Sequence, residues 1–233
     1  VLMRSAGCIV NDISDKEFDK KVERTKNRPL ASNKVSIKLA IFYSIILCAL
    51  AFLVLINFNN LTIILAVGSM PLAFTYPLMK RFTYWPQLFL GITFNYGLVL
   101  GWTAIQGEIN AVTIIFYLGA IFWTLGFDTI YGYQDLKDDE IIGVKSTSIK
   151  FKKKPKLFLT TCYSIFLISL ILVGIFMKLN TMFYFFILIP TAHLLFYQIY
   201  NFNYKDPKNC LKIFKSNNFF GAIILCNILI GKF

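Results

Sequence analysis

The sequence predicts an all-α protein, a multi-spanning transmembrane helical bundle. Three observations carry this. The 233 residues are 57% apolar and only 15% charged, whereas a soluble domain carries about 25% charged residues. The mean hydropathy is +0.62. The apolar residues also fall in runs that approach or exceed the roughly 20 residues needed to cross a bilayer. A transmembrane barrel would instead show segments of about ten residues with every second one apolar, and these runs do not alternate.

The first run, residues 1–13, is a half-span. Val1-Leu2-Met3-Arg4 is not an initiator sequence and no signal peptide precedes it, so this run reads as the second half of a helix and the chain as N-terminally incomplete. Full spans follow at 36–57, 61–80, 86–106, 111–134, 157–178, 181–201 and 217–232. Pro71, Pro77 and Pro190 lie within or at the ends of these runs and are expected to kink them, which membrane bundles tolerate. No separate soluble domain is visible, so residues 1–233 form one transmembrane domain.

The connecting loops alternate in character. Four basic loops, around residues 16–38, 80–81, 137–156 and 205–215, hold 21 of the 24 Lys and Arg residues. The loops between them, Asn57-Phe58-Asn59-Asn60, Gly107-Glu108-Ile109-Asn110 and Lys178-Leu179-Asn180-Thr181, are short and nearly uncharged. Counting spans puts all four basic loops on one face of the membrane, and the positive-inside rule makes that face cytoplasmic. The net charge of +12 therefore reflects loops facing anionic lipid headgroups, not a nucleic-acid partner. Cys8, Cys48, Cys162, Cys210 and Cys226 are scattered without metal-binding spacing. The single histidine, His193, sits in an apolar span with no acidic neighbour and reads as a packing residue.

Ten of the twelve acidic residues lie in two clusters on that same face. In the first, Asn11, Asp15 and Asp19 are spaced i, i+4, i+8, and Asp12, Asp15 and Asp19 are spaced i, i+3, i+7. They share a helix face if the helix continues to about residue 20. In the second, Asp128, Asp135 and Asp139 fall in one narrow angular sector, and Asp138 lies well off it. Like charges at such spacing repel and destabilise a helix, and carboxylates beside membrane spans are costly. A hard divalent cation compensates best. Mg²⁺ prefers carboxylate, carbonyl and water oxygens and typically takes one or two carboxylates plus substrate phosphates. Two such walls facing each other would hold Mg²⁺ around a diphosphate, with Arg24, Arg28, Lys80, Arg81 and Lys145 as candidate phosphate ligands. The plain alternative is a solvated helix end with local Lys–Asp pairs.

Two classes of protein fit these residues. One is an enzyme that ionises a lipid diphosphate, with cations stabilising the departing diphosphate. The other is a cation-coupled transporter, which expects acids in mid-span, often at a broken helix. Only Asp128 comes near that position, which favours the enzyme. Aromatic residues beside the motifs, including Tyr76, Trp123, Phe127, Tyr131 and Tyr133, could face a carbocation, though aromatics form 17% of the chain and packing explains most of them.

At these positions the chain resembles the UbiA superfamily of intramembrane aromatic prenyltransferases. Asn11 to Asp19 is similar to that family's NDxxDxxxD motif, and Asp135 to Asp139 to its DxxxD motif. Arg4-Ser5-Ala6-Gly7-Cys8, Glu23 to Leu30, Tyr76 to Arg81, Asp128-Thr129-Ile130-Tyr131 and Gly143 to Thr147 look most like its 4-hydroxybenzoate polyprenyltransferase branch, of ubiquinone synthesis. The resemblance implies a bundle of nine helices, of which about seven and a half are here, the first helix and part of the second being absent. It implies transfer of a polyprenyl group from polyprenyl diphosphate to 4-hydroxybenzoate, ortho to the hydroxyl, with Mg²⁺. Other acceptors of the family type, such as haem, a naphthoate or a chlorin, remain open.

The same resemblance implies roles. Asn11, Asp15, Asp135 and Asp139 are the Mg²⁺–diphosphate ligands, with Asp12, Asp19 and Asp138 as supporting ligands. Asp128 orients or deprotonates the acceptor phenol. Lys80 and Arg81, with Arg28, Arg24, Lys145 and Tyr131, bind the diphosphate or the acceptor carboxylate. The implied location is a bacterial inner membrane with the site on the cytoplasmic face, or a mitochondrial inner membrane.

Overall fold

The structure, a computed structural model, describes residues 1–233. It contains eight long helices and no strand. Helix α1 is Leu2–Asp19. Seven further helices are long and apolar enough to cross a membrane: α2 Ile37–Leu55, α3 Asn60–Phe82, α4 Pro86–Gln106, α5 Ala111–Ile142, α6 Pro155–Phe176, α7 Thr181–Asn201 and α8 Pro207–Lys232.

Where each helix starts follows from local chemistry. Each of the three nearly uncharged loops holds an asparagine that caps the next helix. Asn59 accepts from Thr62 N at 2.9 Å, Asn110 from Thr113 N at 3.1 Å and Asn180 from Met182 N at 2.8 Å. Each side-chain oxygen satisfies one of the donors a helix start leaves free. At the opposite end α4, α6 and α8 begin with Pro86, Pro155 and Pro207, where the missing N–H costs nothing.

Three boundaries differ from the sequence expectation. Helix α1 runs to Asp19, and α5 continues through a 3₁₀ turn at Tyr133–Asp135 to Ile142. Both acidic stripes are therefore helical. Helix α8 begins at Pro207, ten residues before 217, because Pro207–Lys215 is amphipathic. Cys210 and Ile213 are buried while Lys208, Lys212 and Lys215 are exposed, so the lysines that mark a loop by charge sit on the outer face of a helix. The prolines act locally. Pro77 lies in a 3₁₀ turn, Tyr76–Leu78, and Pro190 precedes a π-helical stretch, Ala192–Gln198. A proline cannot donate to the helical ladder, and the neighbouring bonds re-pair around it.

The core lies between α5, α6, α7 and α8, where Tyr163, Phe166, Phe183 and Phe220 are fully or almost fully buried. Helices α5 and α6 approach closely because α5 offers Gly119 to Ser169 and Gly126 to the Tyr163 ring, with no room for a Cβ at either position. The Tyr163 hydroxyl donates to Gln198 Oε1 at 2.6 Å. The Gln198 amide in turn lies 3.0 Å from His193 Nε2 and 3.0 Å from Asn217 Oδ1. The histidine thus completes a buried polar cluster, consistent with a packing role.

At the end of the bundle away from the acidic clusters, Asn59 Nδ2 donates to Thr103 O at 2.8 Å, and Thr62 and Thr103 hydroxyls meet at 3.1 Å, pinning α3 to α4. Outer surfaces are apolar. Helices α2 and α3 are mostly bare whereas α6 is about half buried, and Phe42, Phe52 and Ile64 stand exposed. Such surface is stable only in lipid. This is an integral membrane protein.

Candidate active site

The basic loops meet at one end of the bundle, as the span count expects. Lys145 N donates to Lys80 O at 2.8 Å, Lys156 Nζ to Tyr200 O at 3.2 Å, and Arg24 Nε to Asp135 Oδ1 at 3.1 Å. Beneath them lies a cavity of about 250 Å³. One wall is α1, with Asn11, Asp15 and Asp19; the facing wall is α5, with Asp128, Tyr131, Asp135 and Asp139. The end of α3 contributes Tyr76 and Lys80, the loop after α1 contributes Arg24, Thr25 and Arg28, and the start of α4 contributes Gln87.

The carboxylates are paired with the chain's own cations. Asp15 is 6% exposed. Its Oδ2 lies 2.7 Å from Lys80 Nζ, while its Oδ1 is buried with no hydrogen-bond partner. Burial raises the Asp15 carboxyl above the usual carboxylate range, and Lys80 opposes this. Arg28 Nη1 bridges Asp12 Oδ1 at 2.9 Å and Asp19 Oδ2 at 3.0 Å. Arg24 forms a fork on Asp135, with Nε 3.1 Å from Oδ1 and Nη2 on Oδ2, and its Nη1 donates to the Tyr131 hydroxyl at 2.6 Å. The hydrogen bond to Asp135 holds the Arg24 guanidinium more firmly protonated than usual. No cation stands within ion-pair distance of Asp128 or Asp139.

Of the residues expected at the site, Asn11, Asp15, Asp19, Asp128, Asp135 and Asp139 line the cavity with Lys80, Arg24, Arg28, Lys145 and Tyr131. Three do not. Asp12 turns to Arg28, and Asp138 lies off the lining stripe as its helical position anticipates. Arg81 donates to Ser14 O at 2.6 Å, with its guanidinium 5.2 Å from the centre of the Phe18 ring. Adjacent residues on a helix project about 100° apart, so with Lys80 in the cavity Arg81 braces α1 from outside.

Sequence reasoning missed Gln87 and its bond to the segment that seats Lys145. Buried Gln87 accepts from Thr147 N at 2.9 Å, the Thr147 and Thr129 hydroxyls meet at 2.6 Å, and Ser148 Oγ donates to Thr129 O at 2.9 Å. These bonds fasten residues 146–148 to α4 and α5. The available signal was a lone glutamine opening an apolar run, since a buried amide needs a partner.

The donor set suits a hard divalent ion. All candidate ligands are oxygens, they converge from two helices, and Asp15 Oδ1 is buried and unpartnered. As the side chains stand, no three acids are close enough to share one ion. The walls are bridged instead by Arg24, so an ion would need the arginine to give way.

A lipid-embedded helical bundle with two acidic motifs facing each other across a cationic mouth defines a class, and comparison names it. The UbiA prenyltransferase family matches residues 1–224, and the chain belongs to that family. It is 42% identical over 233 residues to 4-hydroxybenzoate geranyltransferase 2 of Lithospermum erythrorhizon, covering 100% of this chain and 76% of that one. It is 43% identical over 232 residues to the mitochondrial 4-hydroxybenzoate polyprenyltransferase of Drosophila melanogaster, covering 99% of this chain and 59% of the relative. The human mitochondrial 4-hydroxybenzoate polyprenyltransferase is 41% identical, with 100% of this chain and 62% of that protein covered. The chain thus spans about three fifths of these mitochondrial relatives.

Among solved structures, the apo UbiA homolog from Aeropyrum pernix K1 superposes with a TM-score of 0.82 at 22% identity, over 98% of this chain and 85% of that one. An Archaeoglobus fulgidus UbiA homolog bound to GPP and Mg²⁺ gives 0.71 at 18% identity, over 99% and 82%. These likenesses establish the fold.

Proposed function

We propose that the protein transfers a polyprenyl group from polyprenyl diphosphate to 4-hydroxybenzoate, in ubiquinone biosynthesis. The observation that carries this reading is the convergence of acids from two helices with Lys80, Arg24, Arg28 and Lys145 on one cavity at the mouth of a lipid-embedded bundle. Two mitochondrial relatives, at 43% and 41% identity, are named 4-hydroxybenzoate polyprenyltransferase, and one at 42% is named 4-hydroxybenzoate geranyltransferase. The substrate is a diphosphate with an apolar tail. Its head needs oxygen-bound cations, and its tail needs lipid.

Asn11, Asp15, Asp135 and Asp139 would hold Mg²⁺, with Asp19 in support. Bound there, the ion would neutralise charge on the diphosphate as its bond to the prenyl carbon weakens. Lys80, Arg28 and Lys145 meet the remaining phosphate oxygens. Tyr131 lines the same space with Arg24 over its ring, and an aromatic ring beside the head group favours a developing allylic cation. Asp128, deeper on α5 and without an ion-pair partner, orients the acceptor phenol or takes its proton. The allylic C–O bond breaks, a C–C bond forms at the ring carbon ortho to the hydroxyl, diphosphate leaves, and the ring proton passes to a base. We place the basic end on the cytoplasmic side of a bacterial inner membrane or the matrix side of a mitochondrial one.

The test is a product assay with the full-length protein in lipid, given a polyprenyl diphosphate, Mg²⁺ and a panel of aromatic acceptors. Prenylated 4-hydroxybenzoate is the expected product. A product with a naphthoate or a chlorin but none with 4-hydroxybenzoate would overturn the acceptor assignment. The absence of any prenyl transfer would overturn the enzyme class.

A further inference from the structure

The three cations nearest the acidic walls are each on a carboxylate. Lys80 is on Asp15 at 2.7 Å and Arg28 on Asp12 and Asp19 at 2.9 and 3.0 Å. Arg24 is forked on Asp135, with its third nitrogen on the Tyr131 hydroxyl at 2.6 Å. Only the Arg24 contact crosses from one wall's loop to the other wall. It closes the loop that follows α1 against α5, and it uses both oxygens of an acid in the second motif. A guanidinium fork matches a carboxylate and a phosphate equally well.

We infer that Arg24 is an exchangeable internal counter-ion: it holds Asp135, and with it the loop at residues 20–35, until a divalent cation takes that carboxylate, and it then turns to the diphosphate. This rests on the reading of Asp135 as a metal ligand. The exchange keeps charge balanced at each stage. Asp135 is never left unpaired in a part-buried site, and the guanidinium is freed where a phosphate arrives. It also orders the events, because a fork released by the metal is available to the anion only afterwards. Lys80 and Arg28 stand in the same relation to the first motif, but neither spans the two walls.

The experiment uses the intact protein in zwitterionic nanodiscs and Mn²⁺ as the probe ion. Its binding is followed by electron paramagnetic resonance, and hydrogen exchange of residues 20–35 is measured alongside. Arg24→Gln removes the competing cation and should tighten Mn²⁺ binding about tenfold or more, since a charge-assisted hydrogen bond supplies at least that factor. Arg24→Lys, which keeps the charge but loses the fork, should fall between wild type and Arg24→Gln. In wild type, Mn²⁺ should speed exchange in residues 20–35, and added inorganic diphosphate should slow it again. In Arg24→Gln the loop should exchange fast with or without Mn²⁺.

A purely structural arginine would loosen the loop when removed yet leave Mn²⁺ affinity unchanged, and that result overturns the exchange. Mn²⁺ binding that is absent, or is indifferent to Asp135→Asn, overturns the metal reading beneath it.

Discussion

Replacing Lys80 by Met tests whether the first motif is held by its internal cation. The Asp15 side chain is 8% exposed and the Lys80 side chain 25% exposed, with 2.7 Å between Oδ2 and Nζ. Removing one partner of a fully buried pair costs about 3–5 kcal/mol. Here the lysine is a quarter exposed and the cavity is open to solvent, so roughly 2–3 kcal/mol is expected. Protonation of Asp15 sets a ceiling: from the ordinary value of 3.8 to pH 7 it costs about 4 kcal/mol. Asp15 Oδ1 already lacks a hydrogen-bond partner, so losing Lys80 removes the one ion pair the carboxylate makes.

For a chain of this size, each kcal/mol corresponds to about 2–4 °C in Tm. Lys80→Met should therefore melt roughly 5–10 °C below wild type in nanodiscs with EDTA, at one fixed scan rate. Adding Asp15→Asn should restore at least half of the loss, because the charge left alone is then gone. A change below about 2 °C, or a double variant no more stable than Lys80→Met, would refute the argument.

Four further outcomes are expected. Asp135→Asn and Asp139→Asn should each lower turnover by at least about 100-fold, measured as prenylated product, while the protein stays folded by circular dichroism. EDTA should abolish turnover and added Mg²⁺ restore it; activity that persists in EDTA would count against the oxygen-ligand site. Gly126→Ala drives a methyl into the Tyr163 ring and strains its 2.6 Å bond to Gln198. It should cost about 2–4 kcal/mol, read by thermal melting, and should be less than additive with Tyr163→Leu. Gln87→Leu leaves the buried Thr147 N–H unpaired. It should cost about 1–3 kcal/mol and, by loosening the seat of Lys145, raise KM for the diphosphate more than it lowers kcat.

How much of this was legible depends on whether the signal was local. Span order and the shared face of the acidic clusters followed from hydropathy and loop charge. The stripe of Asp128, Asp135 and Asp139, with Asp138 off it, followed from helical angle and survives the 3₁₀ turn at Tyr133–Asp135. The early start of α8 was missed because its lysines masked a period carried by only Cys210 and Ile213. Which of Lys80 and Arg81 faces the cavity was not legible, because two adjacent cations look alike in sequence and only the seating of Lys80 on Asp15 decides it. The pairing of Arg24 with Asp135 joins residues 111 apart, a separation over which sequence spacing carries no information.

The pin between α3 and α4 has a mechanical meaning. Thr62 and Thr103 fix the pair at the far end, while Lys80 sits 18 residues up α3, roughly 27 Å away at 1.5 Å per residue. A tilt of about 5° around the pin therefore sweeps the backbone of Lys80 through about 2 Å, close to the width of a ring substituent. Such a tilt is resisted at the other end, where Lys80 O accepts from Lys145 N, Lys80 Nζ sits on Asp15 and Arg81 donates to Ser14 O. Helix α3 is thus a strut anchored at both membrane faces, with the bare flank between its anchors turned to lipid.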